Sequence, residues 1–339
     1  MSRFETVRKI FVGGIEVANP FWIAPLAGIT VPAVRRFFEK QGAGLTHTEM
    51  VSCSGVIHGN RKTLHMLREG GQKSPTVLQF FTGNVDSLVQ CVDKGGDTWR
   101  KSFDAFSINM ACPMPKVMKK GAGAALLKRK DLARRMVEEL KEAGLPVWVK
   151  MRLVSAGDLS ETLRFIETLI EAGADHVTLH GRTPAQRYEG SADMEAVCRV
   201  AGAFCGMVSA SGDVFSPETA MTYLERGASA VFFARGILRD PFIVEKTLDN
   251  WRKGPFSSRN NLSPAVKIKR LMDLGEDLYR DEGEKICLVL LKRFLSSIFK
   301  GLCGASRFRR DVADTHSWEE TVHVLENWRE LAERSDLNG

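Results

Sequence analysis

The side chain that is best placed for chemistry in this sequence is the thiol of Cys112. Residues 105–127, AFSINMACPMPKVMKKGAGAALL, begin as a short apolar strand, and Cys112 follows two residues past its end. Pro113 and Pro115 impose an extended exit, because proline fixes its own backbone and restricts the residue before it. Cysteine is often only a small buried hydrophobic residue. Loops at strand ends carry function more often than strand interiors, so we interpret Cys112 as a reactive group.

Two groups of basic residues follow the thiol. The first consists of Lys116, Lys119 and Lys120, and the second is the run KRK at residues 128–130. Ammonium groups close to a thiol make it more acidic. Grouped cations also attract polyanions, so these residues are candidates for holding a charged partner across the site.

The elements that must carry this loop repeat along the chain. Short apolar or β-branched segments end in glycine or polar residues, and a helical pattern follows each of them. We predict eight strands, at Phe21–Ala24, Gly44–Glu49, Thr76–Phe81, Ala105–Met110, Pro146–Met151, His176–His180, Gly206–Ala210 and Ala230–Ala234. Strands alternating with helices over about 240 residues are typical of a (β/α)8 TIM barrel. An open doubly wound sheet also alternates, but it seldom needs eight equally short parallel strands.

Signals at element ends support this division of the chain. Residues 10–17, IFVGGIEV, predict a small hairpin. Asp131 is predicted to cap one helix, Ser160 to start another, and Ser216 to cap a third that ends at Gly227. The sequence contains neither a GxGxxG motif after the first strand nor a GxxxxGK[ST] motif.

Active sites of TIM barrels lie at the C-terminal ends of the strands. The predicted strands end in Pro25-Leu26-Ala27, Glu49, Gln79, Asn109 with Cys112, Lys150 with Arg152, His180 with Arg182, Ser211-Gly212-Asp213, and Ala234-Arg235-Gly236. Taken singly, Gln79 could be a solvated strand tip, Lys150 a surface ammonium group and His180 a histidine satisfied within the barrel. As a set at one face of the fold, these residues predict an active site.

The loops after the seventh and eighth strands predict a phosphate site. Barrels commonly bind phosphate there. Gly212 and Gly236 allow backbone N–H groups to approach a ligand, and Arg235 supplies a charge. A phosphate-bearing cofactor is therefore indicated by the residues themselves.

The totals of the sequence exclude several classes of protein. Of its 339 residues, 44% are hydrophobic and 26% are charged, which are ordinary globular values. The formal net charge of +7 is compatible with a polyanionic partner. Seven cysteines without a CxxC pair or a zinc-like cluster predict reduced thiols and no metal. No apolar run resembles a signal peptide or a membrane span, so we expect a cytoplasmic, monomeric protein.

The alternation stops from about Pro255, and we predict a barrel domain over 1–250, a linker over 251–262 and a helical domain over 263–339. The predicted helices are Pro264–Asp281, Glu284–Lys300 and Ser317–Glu333. The segment from Lys285 to Arg310 has no acidic residue, and its basic residues include Lys292, Arg293, Arg307 and Arg310. They form either a solvated helix face or a footprint for a phosphate backbone.

Four stretches of the sequence resemble the tRNA-dihydrouridine synthase family. They are IAPLAGIT at Ile23–Thr30, INMACPMPKVMKKGAGAALL at Ile108–Leu127, VWVKMRL at Val147–Leu153, and HGRTPAQRYEGSADM at His180–Met194. The second and fourth are highly specific motifs. The resemblance covers the barrel from about Ala24 to Val244, and a helical C-terminal domain of this size fits it.

The resemblance implies an FMN enzyme that reduces the C5–C6 double bond of uridine in tRNA, with NADPH reloading the flavin. It implies that Cys112 donates a proton to C5 while hydride from the flavin goes to C6. It implies FMN contacts from Pro25, Leu26, Ala27, Gln79, Asn109, Lys150, His180, Ser211, Gly212, Asp213, Ala234 and Arg235. Arg182 falls where members of the family line the flavin and the substrate, and we assign it to the substrate.

Four positions depart from the family pattern. Ser211 stands where asparagine is usual, which removes an amide contact but keeps the backbone contact. Leu26 replaces a methionine, Val31 an aspartate and Ala111 a glycine; the last change tightens the turn before Cys112.

A cysteine that serves as a general acid must stay protonated until it is used. We therefore expect Lys116, Lys119 and Lys120 to contact tRNA phosphates and not the sulfur.

Three alternatives stay open at this point. An FMN barrel of the dihydroorotate dehydrogenase type would act on a free pyrimidine and would need no basic helical domain. A sugar-phosphate barrel would use Lys150 as a Schiff-base lysine. A non-catalytic RNA-binding protein could retain the barrel as a scaffold.

Overall fold

The computed structural model describes residues 10–68, 71, 73–253, 262–298 and 304–336. A two-stranded antiparallel hairpin comes first, with β1 at Ile10–Val12 and β2 at Ile15–Val17. The turn between these strands consists of Gly13 and Gly14, both at positive φ, which is the conformation that glycine adopts most readily.

Eight parallel strands form the body of the protein. They are β3 (Phe21–Ile23), β4 (Thr46–Ser52), β5 (Thr76–Phe81), β6 (Ala105–Met110), β7 (Val147–Arg152), β8 (His176–His180), β9 (Val208–Ser211) and β10 (Val231–Phe233). The order in the sheet is β3-β10-β9-β8-β7-β6-β5-β4. The two edge strands meet through a parallel bridge between Trp22 and Leu45, which closes the barrel. The predicted TIM barrel is confirmed.

Helices surround the strands and follow them in sequence. They are α1 (Pro32–Lys40), α2 (Cys53–Ile57), α3 (Arg61–His65), α4 (Val85–Ser102), α5 (Pro115–Met118), α6 (Lys130–Lys141), α7 (Ser160–Glu171), α8 (Met194–Ala203), α9 (Pro217–Glu225), α10 (Gly236–Arg239) and α11 (Ile243–Lys253). A 3₁₀ helix at Gly123–Lys128 lies between α5 and α6. Ser216 caps α9 as predicted, because its side chain accepts a hydrogen bond from Thr219 N–H. Asp131 lies inside α6 and does not cap it, so that prediction is wrong.

The N-terminal hairpin closes the end of the barrel at which the strands begin. The indole Nε1 of Trp148 donates to Gly13 O at 2.8 Å. Trp148 also stacks on Trp22, with ring centroids 5.2 Å apart, and Trp22 meets Phe232 edge to face. Among the described residues, this end of the barrel is filled by aromatic packing.

The C-terminal region consists of α12 (Pro264–Glu282), α13 (Glu284–Ile298), α14 (Ala305–Ala313) and α15 (Trp318–Asp336). The sequence did not predict α14. The predicted linker starts too early, because α11 continues to Lys253; residues 254–261 lie outside the described part of the chain.

The C-terminal helices pack directly on the barrel. Phe294 of α13 contacts the rings of Phe37 and Phe38 on α1. Glu282 at the end of α12 bonds His65 Nε2 at 2.5 Å. One apolar core runs through both regions, so the position of α12 and α13 relative to the barrel is fixed by packing. In the part of the chain that is described, no helix has the length and apolar character that crossing a membrane requires.

Candidate active site

A cavity of about 370 Å³ lies at the C-terminal ends of the barrel strands. Of the residues predicted for the site, those that line it are Pro25, Leu26, Ala27, Asn109, Cys112, Lys150, His180, Ser211, Ala234 and Arg235. Gln79, Arg182, Gly212 and Asp213, like the strand-end residues Glu49 and Gly236, are not part of the lining. The barrel therefore brings together most of the strand-end residues that the sequence singled out.

The loop that carries Cys112 is held from three sides. Asn109 Oδ1 accepts hydrogen bonds from the backbone N–H groups of Ala111 at 3.2 Å and Cys112 at 2.9 Å. Arg152 Nε donates to Ala111 O at 2.7 Å, and Ala124 N–H donates to Cys112 O at 3.0 Å. These bonds all use the backbone around Cys112, so its side chain is left free to face the cavity.

The thiol of Cys112 is half-buried. Burial raises the pKa of this thiol, and the effect outweighs a hydrogen bond from Met114 N–H and the charges of Arg152 and Lys150, which lower it. Lys116, Lys119 and Lys120 do not contribute to the shift. The cavity therefore keeps the sulfur protonated at neutral pH, as a general acid requires.

The ammonium group of Lys150 is buried in the cavity and has few hydrogen-bond partners. Its only hydrogen bond within the described residues is to Ser211 Oγ at 3.4 Å, and no carboxylate pairs with it. Burial, reinforced by the charge of Arg152, lowers the pKa of Lys150 to about 7. A buried cation without an anion is costly, so this position calls for an acceptor from a bound molecule.

His180 presents an N–H group to the same cavity. Its Nδ1 accepts a hydrogen bond from Arg182 N–H at 3.1 Å, which assigns the ring proton to Nε2. Burial and the neighbouring charges of Lys150 and Arg152 hold the pKa of His180 far below its usual range. His180 is therefore a neutral hydrogen-bond donor and not a cation.

Asp213 organises the loops after β8, β9 and β10. Its carboxylate accepts two hydrogen bonds from Arg182, at 2.9 and 2.6 Å, and one from Arg235 at 2.6 Å. Burial raises the pKa of Asp213, but these guanidinium groups and Ala192 N–H outweigh it and hold the pKa below its usual range. The charge of Arg235 is thus shared with Asp213.

Arg182 does not reach the surface that RNA could contact. It is 2% exposed, and besides Asp213 it binds the carbonyl oxygens of Glu189 and Gly190. The assignment of Arg182 to the substrate is therefore not what its contacts indicate. Arg182 supports the loop at 181–190.

Two glycines let the backbone come close beside the cavity. A Cβ atom on Gly212, which has φ +131°, would lie 2.7 Å from the Cβ of Ala192. A Cβ atom on Gly236 would lie 2.2 Å from Val214 O. Both loops can pack this tightly against their neighbours only with glycine, and the prediction that they bind a phosphate stays a prediction.

Gln79 is fully buried below the cavity. Its Oε1 accepts a hydrogen bond from Asn109 Nδ2 at 2.8 Å, and its Nε2 donates to Ser107 Oγ at 3.3 Å. Gln79 thus orients Asn109, which in turn holds Cys112, so its contacts are those of a positioning residue.

Met50, Met114 and Tyr188 line the cavity although nothing in the sequence marked them, and Arg152 lines it although the sequence analysis assigned it no role there. Arg152 was named only as a strand end, yet the alternation of a strand puts it on the same side as Lys150. Its guanidinium group also binds Thr183 O at 3.1 Å and Arg187 O at 2.8 Å. Tyr188 and Met114 are 51% and 48% exposed at the mouth, and no periodic signal marks such loop residues.

The basic residues predicted to bind RNA divide into two kinds. Lys116, Lys119 and Lys120, and likewise Arg293, Arg307 and Arg310, are exposed. Lys292 instead donates hydrogen bonds to Ala313 O at 3.0 Å and Thr315 O at 2.6 Å, so it caps the end of α14. These contacts indicate that Lys292 stabilises the helical domain, and they do not support its assignment to RNA.

Comparison with known proteins shows to which family the chain belongs. A family model described as dihydrouridine synthase (Dus) matches residues 22–335. The chain belongs to the dihydrouridine synthase family. The match includes the barrel, the Cys112 loop and the C-terminal helices.

Relatives of the dihydrouridine synthase family align along most of the chain. The probable tRNA-dihydrouridine synthase 1 of Synechocystis sp. is 30% identical and covers 94% of this chain and 89% of its own length. The tRNA-dihydrouridine synthase B of Pseudomonas aeruginosa is 28% identical and covers 88% of this chain and 89% of its own length. The similarity therefore extends through both the barrel and the helical region.

Among solved structures, DHODH from Eimeria tenella in complex with ferulenol has a similar fold. The TM-score is 0.55 at 14% identity, over 74% of this chain and 84% of that chain. At this identity the likeness supports the barrel fold only.

Proposed function

We propose that this member of the dihydrouridine synthase family reduces uridine in tRNA to 5,6-dihydrouridine, with FMN in the cavity and NADPH as the reductant. The observation that carries the proposal is one cavity that combines a protonated thiol at Cys112 with an unpartnered ammonium group at Lys150. Membership of the dihydrouridine synthase family indicates the reaction, and the two groups are suited to it.

The residues of the cavity fit FMN in three respects. Lys150 and the Nε2–H of His180 are donors that need acceptors, and a flavin ring offers carbonyl and nitrogen acceptors along its edge. Arg235 lines the cavity beside the loops that carry Gly212 and Gly236, and its guanidinium group is available to a phosphate. Pro25, Leu26 and Ala27 also line the cavity. When bound, reduced FMN would supply the hydride that adds to C6 of uracil.

We assign the proton at C5 to the Sγ–H of Cys112. Addition of hydride to C6 builds negative charge on C5 and the adjoining carbonyl group, which a positioned acid relieves. The raised pKa of the thiol supports this role. The hydrogen bonds from Ala111 and Cys112 to Asn109, together with that from Arg152 to Ala111, keep the loop in one position, as proton transfer over a short distance requires.

The exposed cations supply a surface for tRNA. We propose that Lys116 and Lys120 beside the cavity and Arg293, Arg307 and Arg310 on the C-terminal helices contact phosphates. The target uridine must leave its stack to enter the cavity, as in other enzymes that act on a base. Because tRNA is the substrate, we propose a cytoplasmic site of action, and we propose that the protein acts as a monomer.

One observation favours a second candidate. The lowered pKa of Lys150 is also a property of lysines that form Schiff bases with carbonyl substrates. Under that alternative the purified protein is colourless, and borohydride traps a sugar phosphate on Lys150.

The experiment uses the purified protein as isolated. We expect a yellow protein whose flavin, once reduced under anaerobic conditions, is reoxidised by unmodified tRNA but not by uridine monophosphate or orotate. Reoxidation by a free pyrimidine alone would indicate a dehydrogenase of small molecules. tRNA binding without any reoxidation would indicate a non-catalytic RNA-binding protein.

A further inference from the structure

A second cleft lies beside the catalytic cavity on the same face of the barrel. It has a volume of about 620 Å³ and is formed by the loops after β6, β7 and β8. Pro113, next to Cys112, lines both this cleft and the catalytic cavity. A molecule with one end at the active site could therefore place its other end here.

The lining of this cleft combines cations with apolar walls. The cations are Lys119, Lys128 and Arg187. None of the three forms an ion pair with a carboxylate in the described residues, and no acidic residue lines the cleft. The walls include Met118 and Val154. This combination suits a flat apolar ring that carries phosphate groups.

The wall between the two cavities is rigid. The guanidinium group of Arg152 binds Ala111 O on the side of Cys112, and it binds Thr183 O and Arg187 O on the side of the cleft. A ligand that spans both cavities would therefore meet a fixed distance between them and not a flexible loop.

We propose that this cleft binds the adenosine phosphate end of the nicotinamide dinucleotide that reduces the flavin. The inference rests on the proposed function and adds no chemical step to it. The catalytic cavity, at about 370 Å³, lies at the small end of ligand sites. Because this cavity would also hold the flavin, a dinucleotide that reacts there needs a neighbouring site for its other end. Three cations and no acidic residue line the cleft, which favours a ligand that carries a phosphomonoester as well as the pyrophosphate. NADPH has this additional phosphate and NADH does not, so we expect a preference for NADPH.

The loop after β6 offers a matched set of variants. Lys119 lines the cleft, whereas the equally exposed Lys116 and Lys120 do not. Lys119, which the sequence analysis assigned to RNA, is thereby assigned to the reductant. The test compares Lys119→Gln with Lys128→Gln on one side and Lys116→Gln with Lys120→Gln on the other.

The first measurement is direct binding of 2′,5′-ADP to the flavin-loaded protein by calorimetry. Exposed ion pairs are weak, so we expect each change in the cleft to reduce affinity about three- to fivefold, and the double variant about tenfold. The two control variants should bind 2′,5′-ADP as the wild type does. Equal affinities in all variants would overturn the proposal.

The second measurement is reduction of the flavin by NADPH and by NADH in the absence of tRNA, followed by tRNA affinity. We expect the cleft variants to need more NADPH for half-maximal reduction, to lose the preference over NADH and to keep their tRNA affinity. Loss of tRNA affinity with unchanged NADPH dependence would show that the cleft belongs to the RNA surface. A wild-type protein that holds no flavin, or whose flavin NADPH does not reduce, would refute the proposed function itself.

Discussion

Substitution of Cys112 by alanine separates the two halves of the proposed reaction. The loop should keep its shape, because Asn109, Arg152 and Ala124 all hold it through backbone atoms that alanine retains. The thiol is only half-buried, so its removal leaves no closed cavity in the core. We therefore expect Cys112→Ala to fold and to bind FMN as the wild type does.

The expected loss lies in the transfer to uridine. Removal of a general acid costs roughly 10²- to 10⁴-fold in rate, which corresponds to about 2.7–5.4 kcal/mol at 1.36 kcal/mol per factor of ten. Reduction of the flavin by NADPH requires no proton from Cys112, so its rate should stay near that of the wild type. The matched control is Cys205→Ala, which removes an exposed thiol on the outside of the barrel.

Paired anaerobic stopped-flow measurements give both rates. The first records flavin reduction by NADPH, and the second records flavin reoxidation by tRNA. A fall in both rates would show that Cys112 maintains the shape of the flavin site. Unchanged rates would show that another residue or water donates the proton, and the role assigned to Cys112 would be refuted.

Three further perturbations test other parts of the site. Arg235→Ala should reduce FMN retention, because it removes a charge-assisted contact of about 1.5–3 kcal/mol, weakened by the hydrogen bond that Arg235 already makes to Asp213. The control Arg239→Ala, at an exposed position, should not reduce retention. Equal retention in both variants would exclude Arg235 from the phosphate. Reversal of charge at Arg293 and Arg310 should weaken tRNA binding and flatten its salt dependence while FMN stays bound; an unchanged salt slope would move the RNA surface elsewhere. Lys150 has a pKa of about 7 in the free protein, so the ammonium form that would bind FMN is complete below that pH and is lost above it. FMN affinity, measured by fluorescence quenching, should therefore fall by up to about tenfold per unit between pH 7 and 9, and should stay flat for Lys150→Arg.

The barrel and the face that carries the site follow from local sequence patterns. Each strand is a short apolar segment that ends in glycine or a polar residue, and parallel strands of a barrel end at the same face. Asn109, Lys150 and His180 could therefore be grouped without a structure. Their separate tasks could not, because the tautomer of His180 depends on a backbone N–H that folding brings to it.

Two site assignments differ from what the contacts indicate, because those contacts join residues that are distant in sequence. Lys292 belongs to a basic segment, and only the packing of α13 against α14 makes it a cap. Arg182 lies at a strand end, but its guanidinium group forms a bidentate pair with Asp213 and is buried. The helix α14 was missed because its buried face consists only of Ala305, Phe308 and Val312, which makes a weak apolar pattern.

The most direct test of the account is the appearance of dihydrouridine in tRNA. tRNA transcribed in vitro is incubated with the purified protein, FMN and NADPH, then digested to nucleosides and analysed by mass spectrometry. The account predicts a nucleoside two mass units heavier than uridine at defined positions, formed by the wild type and scarcely by Cys112→Ala. Absence of this nucleoside with a flavin-loaded, NADPH-reducible protein that binds the tRNA would contradict it.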